Sequence, residues 1–332
     1  MKSKVLITGA SGFVGFHLTE LAALSQFEVH AAVRKSSKVE DIEPFVDKFV
    51  YPNFESVADL KALLELHKYD YIIHAAALTR AKSEDELIKV NVGYSLNLLR
   101  AAFSAAINLK RFIFVGSLAA IGPIAFNASL PIDESNAYKP VTAYGRSKRQ
   151  AEEAILAEFA HAPISIIRPT AVYGPKEKDL YVLFKTLNAG LDAYIGDNPQ
   201  KLSFIYVKDL AQVILNACLL DNGPAQIYNI TDGNSYGRYE MADIFQAVLA
   251  KKAFRIHLPL WLVKKVAQGF EFAYRNSANI PVLYPERLNE LTAENWICNI
   301  DKAKERLNFK PNFDLKAGLS ETLNWYKKNK WL

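Results

Sequence analysis

Cysteine is almost missing from this chain: Cys218 and Cys298 are the two thiols among 332 residues, and no Cys-x-x-Cys spacing occurs. That argues against a disulfide scaffold or a cysteine-held zinc knuckle, and two reduced thiols suit an expected cytoplasmic setting. Histidine is equally sparse, six residues with no His-x-x-x-His pair, so no metal site is expected. Basic tracts are lacking too. The 40 lysines and arginines are spread among 35 acids for a net charge of +5, which speaks against a nucleic-acid partner. No apolar run reaches the roughly 18 residues of a membrane span. The opening "MKSKVLITGASG" enters a short strand too soon to hold a signal peptide's apolar segment.

What is present is a large apolar fraction, 50% of residues, ample for a sizeable core. Short runs apolar on both faces read as strands at 4–9, 28–33, 71–77, 111–117 and 164–170. Helical periods between them, near 13–24, 56–67, 84–107 and 142–160, give a βαβα rhythm. The expected fold is α/β, a Rossmann-type doubly wound parallel sheet with its ligand crevice at the carboxyl ends of the strands. A further strand and helix are read at 202–220 and a strand at 225–232. Beyond about 236 the pattern becomes helical and irregular, interrupted by Pro259, Pro281, Pro285 and Pro311. The expected division is residues 1–175, with 202–232 contributing, as the dinucleotide domain. Residues 176–201 and 233–332 form a smaller substrate lobe.

"VLITGASGFVG" places Gly9, Gly12 and Gly15 between a strand and a helix. The first glycine permits a sharp turn, the second a close approach of backbone to a pyrophosphate, the third tight packing of helix on sheet. Ser11, Phe13 and Val14 complete this expected cofactor cradle. At the end of the second strand Val33 stands where an acid would hold a ribose 2′-OH, and Arg34, Lys35 and Lys38 follow. Guanidinium pairs well with a 2′-phosphate, so NADP is the expected cofactor, with NAD as the other candidate.

"AYGRSKRQ" sets Tyr144 and Lys148 one helical turn apart, on one face. Alone, this is either a surface pair or a phenol tuned by an ammonium. The ordered set "TGASGFVG" (8–15), "HAAA" (74–77), "VNVGYSLNLLRAA" (90–102), "VGSLAAIG" (115–122), "YGRSK" (144–148), "RPTAVYGP" (168–175) and "FIYVKDLA" (204–211) resembles the extended short-chain dehydrogenase/reductase family. The resemblance covers roughly the first 230 residues. It implies an enzyme in which Tyr144 is the general acid/base, Lys148 holds the nicotinamide ribose and lowers the phenol's pKa, and Ser117 bonds the substrate oxygen.

The same resemblance places Ala75, Ala76 and Ala77 where the cofactor passes and sets Pro169 and Val172 beside the nicotinamide. Asn53 takes the position of the family's adenine-binding aspartate. Asn91 is either the family's helix asparagine or a backbone-bonding residue; Arg168 either borders the nicotinamide or forms a structural ion pair; His74 is read as satisfied by backbone. Relatives often dimerise through the helices near 91–107 and 142–160, so a homodimer is expected.

Departures from family pattern narrow the reaction. Leu118 and Ala119 follow Ser117 where 4,6-dehydratases carry an Asp-Glu pair, and Ile121 and Ala171 replace an aromatic residue and an asparagine of 4-epimerases. The tail is similar to dihydroflavonol-reductase-like and 3β-hydroxysteroid-dehydrogenase-like proteins. The expectation is therefore interconversion of a secondary alcohol and a ketone on a small, largely apolar substrate, with a nucleotide-sugar epimerase that retains its cofactor as the alternative. The stripe from Leu258 through Trp261, Phe270, Phe272 and Tyr274 is read as helix packing, a cleft wall or a membrane-resting face.

Overall fold

The computed structural model describes residues 2–332 apart from 222, 276, 278 and 279. Seven parallel strands form one sheet. They are β1 (Lys4–Thr8), β2 (Glu28–Ala32), β3 (Lys48–Val50), β4 (Tyr71–His74), β5 (Arg111–Val115), β6 (Ile164–Pro169) and, much later, Gln226–Ile230. Their spatial order is β3-β2-β1-β4-β5-β6 followed by Gln226–Ile230. Strands β1 and β4 are neighbours although β2 and β3 intervene in sequence, so the order reverses there and opens a crevice at their carboxyl ends.

One face of the sheet is covered by α1 (Phe13–Leu24) and, later in the chain, Val207–Leu219. The other carries α2 (Val57–His67), α4 (Ser95–Ser104) and α5 (Ala143–Phe159), with the short α3 (Glu84–Ile88) packed against α5. The two apolar layers explain the double-sided strands: Val5 and Ile7 pack with the first group, Leu6 and Ile72 with the second.

The expected single helix over 84–107 is broken. Between α3 and α4 lies a six-residue π-helical stretch, Lys89–Tyr94. Its wider turn points Asn91 into the protein, where it is fully buried. The strand expected over 71–77 stops at His74, because the Ala76 N–H turns to the Thr8 side chain, at 3.2 Å, instead of to a neighbouring strand.

After β6 the chain makes β7 (Ala171–Tyr173), α6 (Asp179–Asn188), β8 (Leu191–Ile195), β9 (Lys201–Leu202), β10 (Phe204–Tyr206), α7 (Val207–Leu219) and the sheet strand β11 (Gln226–Ile230). The tail adds β12 (Tyr236–Gly237), α8 (Glu240–Leu249), β13 (Phe254–Leu258), α9 (Leu260–Tyr274), α10 (Arg287–Leu291), α11 (Asp301–Leu307) and α12 (Leu315–Lys328). Strands were not expected in this tail, yet β13 pairs in parallel with β8 over five residues. A separate core of Tyr173, Phe184, Phe245, Leu319 and Tyr326 holds the lobe together. The lobe is not purely terminal, since Ile300, Ala303, Leu307 and Phe309 return to the core of the sheet. We therefore propose moving α11 to the dinucleotide body.

Candidate active site

The glycine turn is built as its spacing requires. Gly9 has φ +70, and a Cβ on it would lie 2.7 Å from the Ala76 nitrogen. A Cβ on Gly15 would lie 2.0 Å from the Gly9 carbonyl oxygen, so α1 can pack this closely only with glycine there. Gly12 caps α1 without a side chain, and its N–H bonds the Gly9 carbonyl at 2.9 Å. The first amides of α1, from Phe13 and Val14 onward, thus face the crevice as an anion cradle beside Ser11. Half-buried Ala75, Ala76 and Ala77 form its far wall. These residues fit a dinucleotide's diphosphate.

Behind that wall runs a chain of buried hydrogen bonds. The Ser95 hydroxyl donates to the Asn91 carbonyl at 2.8 Å, so it accepts from His74 Nε2–H at 2.9 Å. His74 Nδ1 is then an acceptor for the Thr8 hydroxyl at 2.7 Å, and Thr8 in turn accepts the Ala76 N–H. Burial, with a smaller effect of the Lys148 charge, lowers the His74 pKa to about 3, keeping the ring neutral in this single tautomer. His74 is thus satisfied by side chains, not by backbone as expected. Asn91 clamps both backbone groups of Leu78, at 2.8 Å each, and donates to the Ser147 hydroxyl at 2.9 Å. Of its two expected roles, the bonds present are the structural ones.

Tyr144 and Lys148 open α5, whose N-cap Thr142 accepts from the Gly145 N–H at 3.1 Å. Gly145 lies against the short 3-10 turn Leu118–Ala120; a Cβ there would meet the Ala119 carbonyl oxygen at 2.4 Å. That close approach brings Ser117, the cap of the turn, to the Tyr144 hydroxyl. Burial raises the Tyr144 pKa, and the hydrogen bond with Ser117 opposes the rise, while Glu290 and Glu152 add to it. Lys148 is buried, donates to the Val115 carbonyl at 2.8 Å, and lies 6.0 Å from the centre of the Tyr144 ring. Burial pulls its ammonium down to about 8, with Glu152 resisting.

Glu152 escaped the sequence reading, although it continues the same helical face four residues beyond Lys148. Its carboxylate takes an ion pair from Arg168 at 2.7 Å with both side chains sealed from solvent, and Tyr138 bonds the same oxygen at 3.1 Å. Arg168 is therefore the structural partner of its two candidate roles. Pro169 is buried at the end of β6 and Val172 half-buried in β7.

Arg34 and Lys35 project exposed from the end of β2, beyond buried Val33. Asn53 is exposed and spends its amide on Asp59 at 2.9 Å and its oxygen on the Glu55 N–H at 3.2 Å.

A cavity of about 470 Å³ ends on Ala143 and Tyr144. Its walls are mixed: Arg80, Lys82, Arg146, Arg275, Glu84, Glu271 and Glu286 share them with Leu87, Tyr274, Ile280, Pro281 and Tyr284. Arg146 makes a two-pronged bond to Glu84, 2.7 Å on each arm, and reaches Glu286 of the lobe at 2.9 Å. These charged residues also went unread, because they acquire a common site only when the lobe closes over α3 and α5.

The family model described as the NAD dependent epimerase/dehydratase family matches residues 5–231. The chain belongs to that family. It is 28% identical to the decarboxylating sterol-4-alpha-carboxylate 3-dehydrogenase of Candida albicans, covering 97% of each chain. It is 26% identical to a UDP-glucose 4-epimerase of Vibrio cholerae over 97% of this chain and 95% of that one. The fold superposes on a UDP-glucose 4-epimerase of Thermotoga maritima with a TM-score of 0.79 at 21% identity, covering 98% of this chain and 99% of that one. This member of the epimerase/dehydratase family is thus a nicotinamide-dinucleotide-dependent enzyme of the extended short-chain dehydrogenase/reductase type.

Proposed function

We propose that the enzyme oxidises and re-reduces one secondary carbinol of a glycosyl diphosphate, with inversion at that carbon and the cofactor retained. The carrying observation is the cavity that ends on Tyr144, where Lys82 and Arg275 on its wall suit a diphosphate. Arg80 and Arg146 are engaged by Asp179 and by Glu84 and Glu286, carboxylates that suit sugar hydroxyls. Epimerases among the relatives support the same reading.

A nicotinamide dinucleotide held in this cleft would supply the hydride chemistry; this chain handles the proton. Burial by itself holds the Tyr144 phenol neutral; the positive charge of an oxidised nicotinamide, when bound, would favour its ionisation. As phenolate, Tyr144 takes the proton of the substrate hydroxyl as its carbon becomes a carbonyl, and gives it back on re-reduction. Ser117 bonds the same oxygen and steadies the phenolate. Lys148 supplies the neighbouring positive charge and a hydrogen bond to the cofactor ribose. Leu118 and Ala119 offer no acid or base for elimination, so the chemistry stops at the carbonyl. Gly9, Ser11, Gly12, Phe13, Val14 and Gly15 hold the diphosphate, with Ala75, Ala76, Ala77, Pro169 and Val172 along the rest of the cofactor. Arg34 and Lys35 extend the proposal to NADP. A homodimer through α4 and α5 remains part of it.

A second reading, net oxidation of a secondary alcohol, draws on the Candida relative and on Ile121 and Ala171, which depart from the epimerase pattern. The test incubates the enzyme with a panel of nucleotide sugars and follows 340 nm absorbance alongside product stereochemistry. An inverted sugar with no net change in reduced cofactor is expected, and Tyr144→Phe should slow it by about 10²–10⁴-fold while dinucleotide binding persists. Stoichiometric consumption of the cofactor would instead establish the second reading.

A further inference from the structure

Only Val263 and Ala267 of the 15 residues of α9 are buried. The apolar residues that remain face outward: Trp261 is 67% exposed, Phe272 66%, Val266 45%, Phe270 44% and Leu262 40%. At about 100° per residue Trp261, Phe272 and Leu262 lie on the side away from the buried edge, and Val266 and Phe270 continue that arc round to Val263. Lys265 lies within the arc and Lys264 beside it. The helix's one acid, Glu271, lines the cavity instead, as do Tyr274 and Arg275 at its carboxyl end. The helix therefore shows water a broad aromatic and apolar face that carries Lys265, and its far end borders the cleft that holds Tyr144. Soluble surfaces scatter such side chains singly.

We propose that α9 lies in the surface of an anionic bilayer. Trp261, Leu262, Val266, Phe270 and Phe272 enter the headgroup boundary and Lys264 and Lys265 meet lipid phosphates. The cleft then faces the membrane and takes its substrate from it. Where the glycosyl diphosphate reading above holds, that substrate is one carried on a membrane lipid. Two lysines against one acid along the helix favour an anionic surface over a second copy of the same face.

The full chain is floated with vesicles of phosphatidylcholine alone and with vesicles in which a third of that lipid is replaced by phosphatidylglycerol. The expected result is flotation with the anionic vesicles only. Lys264→Gln and Lys265→Gln should each weaken partition roughly fivefold. The double variant Trp261→Glu/Val266→Glu should abolish it while circular dichroism and dinucleotide titration stay unchanged. Absence of flotation, or flotation that this variant retains, overturns the proposal. So does a wild-type dimer that the same variant dissociates. Flotation does not depend on turnover, so a failed sugar panel with intact flotation rejects only the reaction assigned above.

Discussion

Arg168 and Glu152 form an ion pair 2.7 Å long, closed to solvent, one helical turn beyond Lys148. Gly116 makes room for it: a Cβ there would lie 2.5 Å from Glu152 Oε1. The pair joins β6 to α5 and sets the depth at which Lys148 and Tyr144 sit. Arg168→Met leaves a buried carboxylate without its partner and should cost about 3–5 kcal/mol of stability. Arg168→Met combined with Glu152→Leu should recover most of that loss. Urea denaturation of the three proteins measures both, and a single Arg168→Met variant as stable as wild type would show the pair to be dispensable.

Lys148 ties pH to stability. Its folded pKa is about 8 against 10.5 for the ordinary side chain, because burial disfavours the charged form. Between those values the unfolded chain binds the extra proton, so this residue's contribution rises as pH rises from about 8 to 10.5. Lys148→Met should remove that positive slope, read as the wild-type-minus-variant difference in unfolding free energy across the window. An unchanged difference would place the ammonium in water.

His74 acts at the acid end. Its folded pKa of about 3 lies below the ordinary 6.5, through burial and then the Lys148 charge. Below 6.5 the unfolded chain takes up a proton that the folded one refuses, so stability falls as pH drops toward 3. His74→Asn should flatten that fall by up to one proton's worth. The substitution should also loosen the Ala76–Leu78 loop, giving a weaker dinucleotide affinity at neutral pH. A variant with native acid slope would mean the ring is already solvated.

Arg34 is set to discriminate between cofactors. Arg34→Ala should weaken NADPH roughly ten- to a hundredfold, the worth of a charged hydrogen bond, and leave NADH unchanged. Fluorescence titration with both reads the ratio. Equal losses, or a wild-type preference for NADH, would remove the residue from this role.

The sheet was legible in the sequence because a strand covered on both sides must be largely apolar on both faces. Strands β1, β2, β4, β5 and β6 are, apart from a few buried polar residues such as His74 and Arg168. The cofactor turn was legible because Gly9 and Gly15 stand where backbone atoms leave no space for a Cβ. Tyr144 and Lys148 could be placed on one face because a helix aligns residues four apart, but only the ordered family motifs suggested what the pair does. The strand pattern, the glycine spacing and the helical interval are properties of neighbours along the chain, although the contact that excludes a Cβ at Gly9 comes from distant Ala76. Glu152 against Arg168, the clamp of Asn91 on Leu78 and the charged walls from Arg80 to Glu271 join residues distant in sequence. None carries a local period, so only packing assigns them partners. The tail differs for the same reason: β8 and β13 are strands because they find each other, and α9 keeps its apolar face outward because the lobe leaves that side open. Sequence alone determined the parallel sheet and its first glycine turn, because both follow from local pattern. The tertiary structure decided what kind of cleft Tyr144 and Lys148 look into, because its walls come from distant segments.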